Sequence, residues 1–87
     1  MDINKKRILT CLLSELKDYP NAEEQILNNE DFRHIGFNSI TYIKAILRIE
    51  KSLSIRFEDK IIDNEELMNW DNMKRYIEEK LKLGEIN

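Results

Sequence analysis

One serine of this chain is well placed to carry a covalent group. It lies in the run Gly36-Phe37-Asn38-Ser39-Ile40, where two turn-forming residue types come just before it. It also opens the longest amphipathic run of the sequence, which continues to Leu53. Because the N-terminus of a helix is the positive end of its dipole, a hydroxyl held there is a favourable place to attach a phosphate group. Ser39 is therefore the first candidate functional residue.

The composition predicts a small all-α protein. A chain of 87 residues suits one domain with one modest core and leaves little room for a deep enzyme cleft. Two glycines and one proline are few chain breakers, and abundant Ile, Leu, Lys and Glu favour helices. We expect residues 1–87 to form a single small four-helix bundle, with three longer helices, one short third helix and a long loop between the first two.

Apolar residues at three-and-four spacing predict the first helix over residues 3–18. Pro20 ends it, because a proline disfavours helical geometry in the residue before it. Residues 19–38 then form a long connection. A short helical segment at 22–27 is expected within it, with Ile26 and Leu27 turned inward. Connections of this length in a small domain are usually functional or carry some structure of their own.

The second helix is predicted over residues 39–53, directly after the connection. Asn38 is suited to cap its N-terminus, and Gly36 supplies a backbone conformation that a side chain would resist. The apolar stripe of this helix consists of Ile43, Ala45, Ile46, Leu47, Ile49 and Leu53. The opposite, polar face consists of Thr41, Lys44, Arg48 and Lys51.

Two more helices complete the predicted bundle. A short one covers residues 58–67 after an extended segment at 54–57, and the last covers residues 70–83. Asn69 is a possible N-cap of the last helix, and Gly84 stands where a C-terminal cap belongs.

Other side chains offer weaker chemistry. His34 is the only histidine, and a solvated loop histidine is favoured over a general base because nothing in the sequence orients its ring. The carboxylates of Asp59, Asp63, Glu65 and Glu66 lack calcium-loop spacing, so a solvated acidic face is favoured over a metal site. Cys11 lies in an apolar helical run and is expected to be a small buried hydrophobe. We expect no catalytic residue and no metal.

Net charge, cysteine count and the lack of long apolar runs indicate which partners and which cellular compartment to expect. The net charge of −3 speaks against nucleic-acid binding. One cysteine cannot form an internal disulfide, no apolar run is long enough to span a bilayer, and no signal peptide is evident. We expect a monomer in the cytoplasm that does not bind membranes.

In this setting the chain resembles the acyl and peptidyl carrier proteins, whose modification site reads Gly-x-Asp/Asn-Ser-Leu/Ile. The run 36–40 matches that motif, and residues 31–35 resemble the segment that precedes it in the family. Further along, Ile46-Leu47-Arg48-Ile49-Glu50, Leu53-Ser54-Ile55-Arg56-Phe57 and Trp70-Asp71-Asn72-Met73 are similar to family segments at corresponding positions. A motif found in its expected helical context is a specific signal.

The resemblance implies a carrier without catalytic activity of its own. Ser39 would bear a covalent 4′-phosphopantetheine arm that holds acyl or aminoacyl groups as thioesters, with Asn38 and Gly36 shaping the attachment site. The implied partners are a phosphopantetheinyl transferase, an adenylating or acyl-loading enzyme, and downstream condensing, tailoring or thioesterase enzymes. The implied docking residues are Ile40, Ile43, Lys44, Leu47, Arg48 and Ile62. For Ile43 and Leu47, burial in the core is an equally good interpretation.

Two departures from the family pattern indicate the subtype. Asn38 stands where most members have an aspartate that helps to hold magnesium during loading, and asparagine occurs there in nonribosomal pathways. Fatty-acid carriers present an acidic second helix, whereas this one carries Lys44, Arg48 and Lys51. These features favour a carrier of nonribosomal peptide or polyketide biosynthesis. The alternatives are a cofactor-free helical adaptor, or a degenerate carrier that serves as a scaffold. From the chain ends we expect a discrete protein acting in trans, with an excised domain as the other possibility.

Overall fold

A computed structural model describes residues 3–17, 19–63 and 66–86 of the chain. This part contains six helices and no β-strand, and the predicted all-α class is confirmed. The helices are α1 (Ile3–Leu13), α2 (Ala22–Leu27), α3 (Phe32–Ile35), α4 (Ser39–Leu53), α5 (Asp59–Asp63) and α6 (Trp70–Ile86). Helices α1, α4 and α6 are the three longer ones, and α2 and α3 lie within the connection. Among the described helices, none combines the length and the apolar character needed to cross a membrane.

One apolar cluster holds the helices together. Helix α1 packs against α4, and the fully buried side chains of these two helices include Ile8 and Leu12 of α1 and Ile46 and Ile49 of α4. Helices α2, α3 and α6 each add buried side chains, whereas α5 adds only half-buried ones. Burial of such aliphatic side chains contributes about 1.5–3 kcal/mol each to the free energy of unfolding. The core therefore fixes α4, which begins at Ser39.

The first helix ends earlier than predicted, at Leu13. The Ser14 hydroxyl donates to the carbonyl of Cys11 at 2.8 Å, and the amides of Glu15 and Leu16 bond to carbonyls only three residues back. The backbone thus tightens into turns while Leu16 stays buried. Apolar spacing that continues past the end of a helix made the prediction too long. Residue 18, its last residue, lies outside the described part.

The connection is held at both ends and contains more helix than predicted. The predicted segment at 22–27 is present as α2, where Ile26 is buried as expected together with Ala22, but Leu27 is exposed. Asn29 takes a left-handed backbone conformation, with φ of 64°, and separates α2 from α3. Its side-chain oxygen accepts a hydrogen bond from the amide of Asp71 at 2.9 Å. The connection is thereby tied to the first turn of α6.

The two last helices differ from their predicted lengths. Helix α5 covers only Asp59–Asp63, and Leu67 is buried after it rather than within it. Helix α6 runs on to Ile86, so Gly84 does not end it. A glycine costs a helix interior about 1 kcal/mol relative to alanine, which a long helix tolerates. Asn69 does act at the N-terminus of α6, where its side-chain oxygen accepts a hydrogen bond from the amide of Asn72 at 2.9 Å.

Candidate functional site

Ser39 is the first residue of α4, and its side chain is exposed. The N-cap is Asn38, as predicted. Its side-chain oxygen accepts hydrogen bonds from the amides of Ile40 and Thr41, each at 2.9 Å. In return, the hydroxyl of Thr41 accepts a hydrogen bond from the amide of Asn38 at 2.9 Å, which completes a capping box. The start of the helix, and with it the serine, is held by local bonds.

This cap also limits how a charged group on Ser39 would be stabilised. The amides of Ile40 and Thr41 already donate to Asn38 and are not free to bond an anion. A phosphate group on Ser39 would instead interact with the helix dipole, which contributes about 0.3–1 kcal/mol at an exposed position.

The turn before the serine is built around Gly36. Its φ is +121°, a conformation that favours glycine, and it caps the C-terminus of α3, where its amide donates to the carbonyl of Phe32, the first residue of that helix. The amide of Phe37 bonds to the same carbonyl at 3.1 Å. The ring of Phe37 is buried and lies 5.3 Å from that of Phe32, centroid to centroid. Phe37 therefore anchors the turn in the core, and Ser39 is held two residues away on the outside.

The next element is an apolar strip on the exposed side of α4. Ile40, Ile43 and Leu47 are 65%, 44% and 55% exposed, and their spacing places them on one face. Lys44 and Lys51 are exposed on the same side of the helix. We call these five residues the outer face of α4. Of the two interpretations left open for Ile43 and Leu47, their exposure speaks against burial in the core, and Tyr42, which was not in the predicted apolar stripe, is buried.

A groove runs beside the outer face, between α4, the extended segment 54–57 and α5. Its volume is about 1200 Å³ and it is open to solvent. Leu47 and the half-buried Ile55 and Ile62 supply its apolar lining. We call it the α4–α5 groove. The amide of Phe57 donates to the Glu50 carboxylate at 2.7 Å and fixes the segment against α4.

Arg48, the other predicted docking residue of α4, has a structural contact. Its Nε lies 2.9 Å from the carboxylate of Glu15, whose side chain is only 9% exposed. This ion pair ties α4 to the turns after α1. A role of Arg48 in docking stays a prediction, but its guanidinium group already has a partner within the chain.

The structure also places the weaker candidates, which are His34, Cys11 and the acidic residues. His34 is exposed on α3. Within the described residues, no group of His, Cys, Asp and Glu is arranged to hold a metal ion, and Glu65 of the predicted acidic face lies outside them. Cys11 is half-buried, and burial raises the pKa of its thiol, although the Arg48 charge and a hydrogen bond with Ser52 act in the opposite direction.

The comparison with protein families identifies the family of the chain. The family model described as phosphopantetheine attachment site matches residues 6–70, which include α1 from Lys6 onward and all of α2 to α5. The chain belongs to this carrier family. Comparisons with curated proteins and with solved structures gave no significant match. Members of the family bear a covalently attached 4′-phosphopantetheine group, are loaded by a phosphopantetheinyl transferase and interact with partner enzymes.

The residues of this carrier fit such a group. Ser39 is exposed at the positive end of a 15-residue helix, and the first turn of that helix contains no carboxylate that would repel a phosphate. Two supporting residues were missed from the sequence. Thr41 was assigned only to the polar face, although a threonine three residues after an N-cap can complete a cap of this kind. Tyr19, whose ring lies against Gly36, gave no signal because their contact is not local.

Proposed function

We propose that this chain is a carrier that bears 4′-phosphopantetheine on Ser39. The observation that supports the proposal best is the position of Ser39. It is exposed, it is the first residue of α4, and it lies in the chain between the buried Phe37 and the outer face. When attached, the group supplies a thiol on a long arm, to which acyl or aminoacyl groups are bound as thioesters.

The chain itself holds the serine rather than activating it. The cap formed by Asn38 and Thr41 fixes the first turn, and Gly36 directs the backbone out of the core. The base and the metal for loading would come from the transferase. The proposed attachment site comprises Gly36, Asn38 and Ser39, and the carrier is proposed to have no catalytic activity of its own.

The charge of the outer face supports a role in nonribosomal peptide or polyketide biosynthesis. Lys44 and Lys51 are exposed beside Ile40 and Leu47, whereas a fatty-acid carrier of the acidic kind would have carboxylates there. Asn38 supports the same subtype. The proposed partners, besides the transferase, are an adenylating or acyl-loading enzyme and condensing, tailoring or thioesterase enzymes.

Intact mass tests the attachment. Coexpression with a broad-specificity phosphopantetheinyl transferase is expected to add the mass of one phosphopantetheine to the wild-type chain and to Ser52→Ala, a matched control because Ser52 is also exposed on α4. Ser39→Ala is expected to gain nothing while keeping its helical circular dichroism. A gain in Ser39→Ala would contradict the site. No gain in a folded wild-type chain would instead favour the cofactor-free adaptor or the degenerate scaffold.

A further inference from the structure

The α4–α5 groove carries positive charge although the chain as a whole is acidic. The chain has 17 acidic and 14 basic residues, yet Lys44, Lys51 and Arg56 all line this groove and are exposed. Among the residues that the structure describes, no carboxylate lies within ion-pairing distance of these three side chains. Their charge is therefore available to a molecule that enters the groove.

The carboxylates of the groove offset only part of this charge. Glu15 is paired with Arg48 at 2.9 Å, and Glu50 accepts the hydrogen bond from the amide of Phe57 at 2.7 Å. Only Asp59, in the first turn of α5, is exposed without such a bond among the described residues, and there it faces the positive end of its own helix. The groove thus presents three cations without an ion pair against two such carboxylates, Glu50 and Asp59, and keeps a net positive charge.

We propose that the α4–α5 groove binds an acidic helix or loop on the partner enzymes of this carrier. The occupant would insert an apolar side chain between Leu47 and Ile62 and place Asp or Glu side chains opposite Lys44, Lys51 and Arg56. The proposal rests on the proposed function, since it names the partner surface used when those enzymes reach Ser39. It reverses the charge pattern of carriers whose second helix is acidic.

Shape favours a protein element over a lipid surface as the occupant. The apolar residues line a concave groove between two helices, into which a protruding helix or loop can insert and a flat bilayer cannot. Charged groups around an apolar centre are the usual arrangement of a transient interface, where they raise the association rate and select the partner.

Two synthetic peptides test whether the groove prefers an acidic partner. The test needs neither the transferase nor the phosphopantetheine group. Both are amphipathic helices with one leucine face, flanked by glutamates in the first and by lysines in the second. Titrated into the full chain, the glutamate peptide is expected to bind about tenfold tighter at low salt, because three exposed ion pairs each add a little. Amide NMR shifts are expected at residues 40–51 and 55–62, and the preference is expected to shrink at high salt.

Charge reversal supplies the matched control. The triple variant Lys44→Glu, Lys51→Glu, Arg56→Glu is expected to prefer the lysine peptide. The equally charged variant Lys6→Glu, Arg75→Glu, Lys82→Glu changes exposed residues outside the groove and is expected to retain the wild-type preference. If the first variant does not fold, the amide NMR shifts of the wild-type chain and the salt dependence of its peptide preference still test the proposal.

Three outcomes would overturn the proposal. They are equal binding of the two peptides, amide shifts outside the groove, and tighter binding through the same residues to anionic phospholipid vesicles than to the glutamate peptide. Because these measurements use the unmodified chain, their failure is distinct from a failed mass gain at Ser39. A mass gain together with no charge preference would reject the groove alone.

Discussion

The ring of Tyr19 lies against Gly36 at the turn that leads to Ser39. A Cβ atom placed on Gly36 would come within 2.5 Å of Cζ of that ring. We expect Gly36→Ala to lower the free energy of unfolding by about 1–3 kcal/mol, because φ of +121° also strains an alanine. Urea denaturation measures this. Adding Tyr19→Ala should recover only part of the loss, and wild-type stability of Gly36→Ala would contradict the assigned turn.

The side chain of Asn38 is expected to stabilise the folded protein by capping α4. Asn38→Ala removes the acceptor of two amide hydrogen bonds and should cost about 1 kcal/mol. Asn38→Asp keeps the acceptor and adds negative charge at the positive end of α4, so its stability should equal or exceed that of the wild type. If the attachment proposal is correct, Asn38→Asp should also load faster at limiting magnesium. Thermal unfolding and a time course of intact mass test the two effects separately.

We expect the ion pair between Arg48 and Glu15 to stabilise the folded protein. Arg48→Ala leaves a nearly buried carboxylate without its charged partner and should cost about 1–3 kcal/mol. Lys44→Ala, on the exposed outer face, should cost less than about 0.5 kcal/mol. A double-mutant cycle with Glu15→Gln isolates the coupling. Equal, small losses for Arg48→Ala and Lys44→Ala would contradict this assignment.

The contribution of Asp31 to the stability of the folded protein should depend on pH. The hydrogen bond from the Arg33 side chain lowers the pKa of the Asp31 carboxyl from 3.8 to about 2. Because the folded-state pKa is depressed, its stabilising effect is complete above about pH 4 and is lost as the pH falls to about 2. Carboxyl NMR titration should find the low pKa in the wild type and a higher one in Arg33→Ala. An unchanged Asp31 titration in that variant would contradict the assigned cause.

Leu47 and Ile46 are neighbours on α4, but Leu47 is part of the exposed outer face and Ile46 is part of the core. Leu47 is 55% exposed, so Leu47→Ala should change the free energy of unfolding by less than about 1 kcal/mol. Ile46 is fully buried, and Ile46→Ala should cost about 2–5 kcal/mol. Chemical denaturation of both variants tests this. A large loss for Leu47→Ala would place that side chain in the core and weaken the proposed groove.

Helix α4 was predictable because its signals are local. Asn38 caps it, the apolar run begins at once, and the structure places its ends at Ser39 and Leu53 as expected. The end of α1 was not predictable in the same way. The spacing of apolar residues continues through Leu16, while the Ser14 hydroxyl and the tight turns after Leu13 end the helix. Apolar spacing reports burial, and burial continues past the last helical residue.

The sequence by itself determined where the candidate serine lies relative to its helix, because capping and turn formation act over a few residues. It could not determine which side of α4 faces the core. The apolar residues of that helix cover a wider arc than the core buries, and packing against the other helices selects Ile46 and Ile49 for burial and leaves Leu47 exposed. Tertiary structure alone also brought Tyr19 to Gly36 and Glu15 to Arg48. Contacts between residues far apart in the chain depend on how the helices pack, which local sequence patterns do not specify.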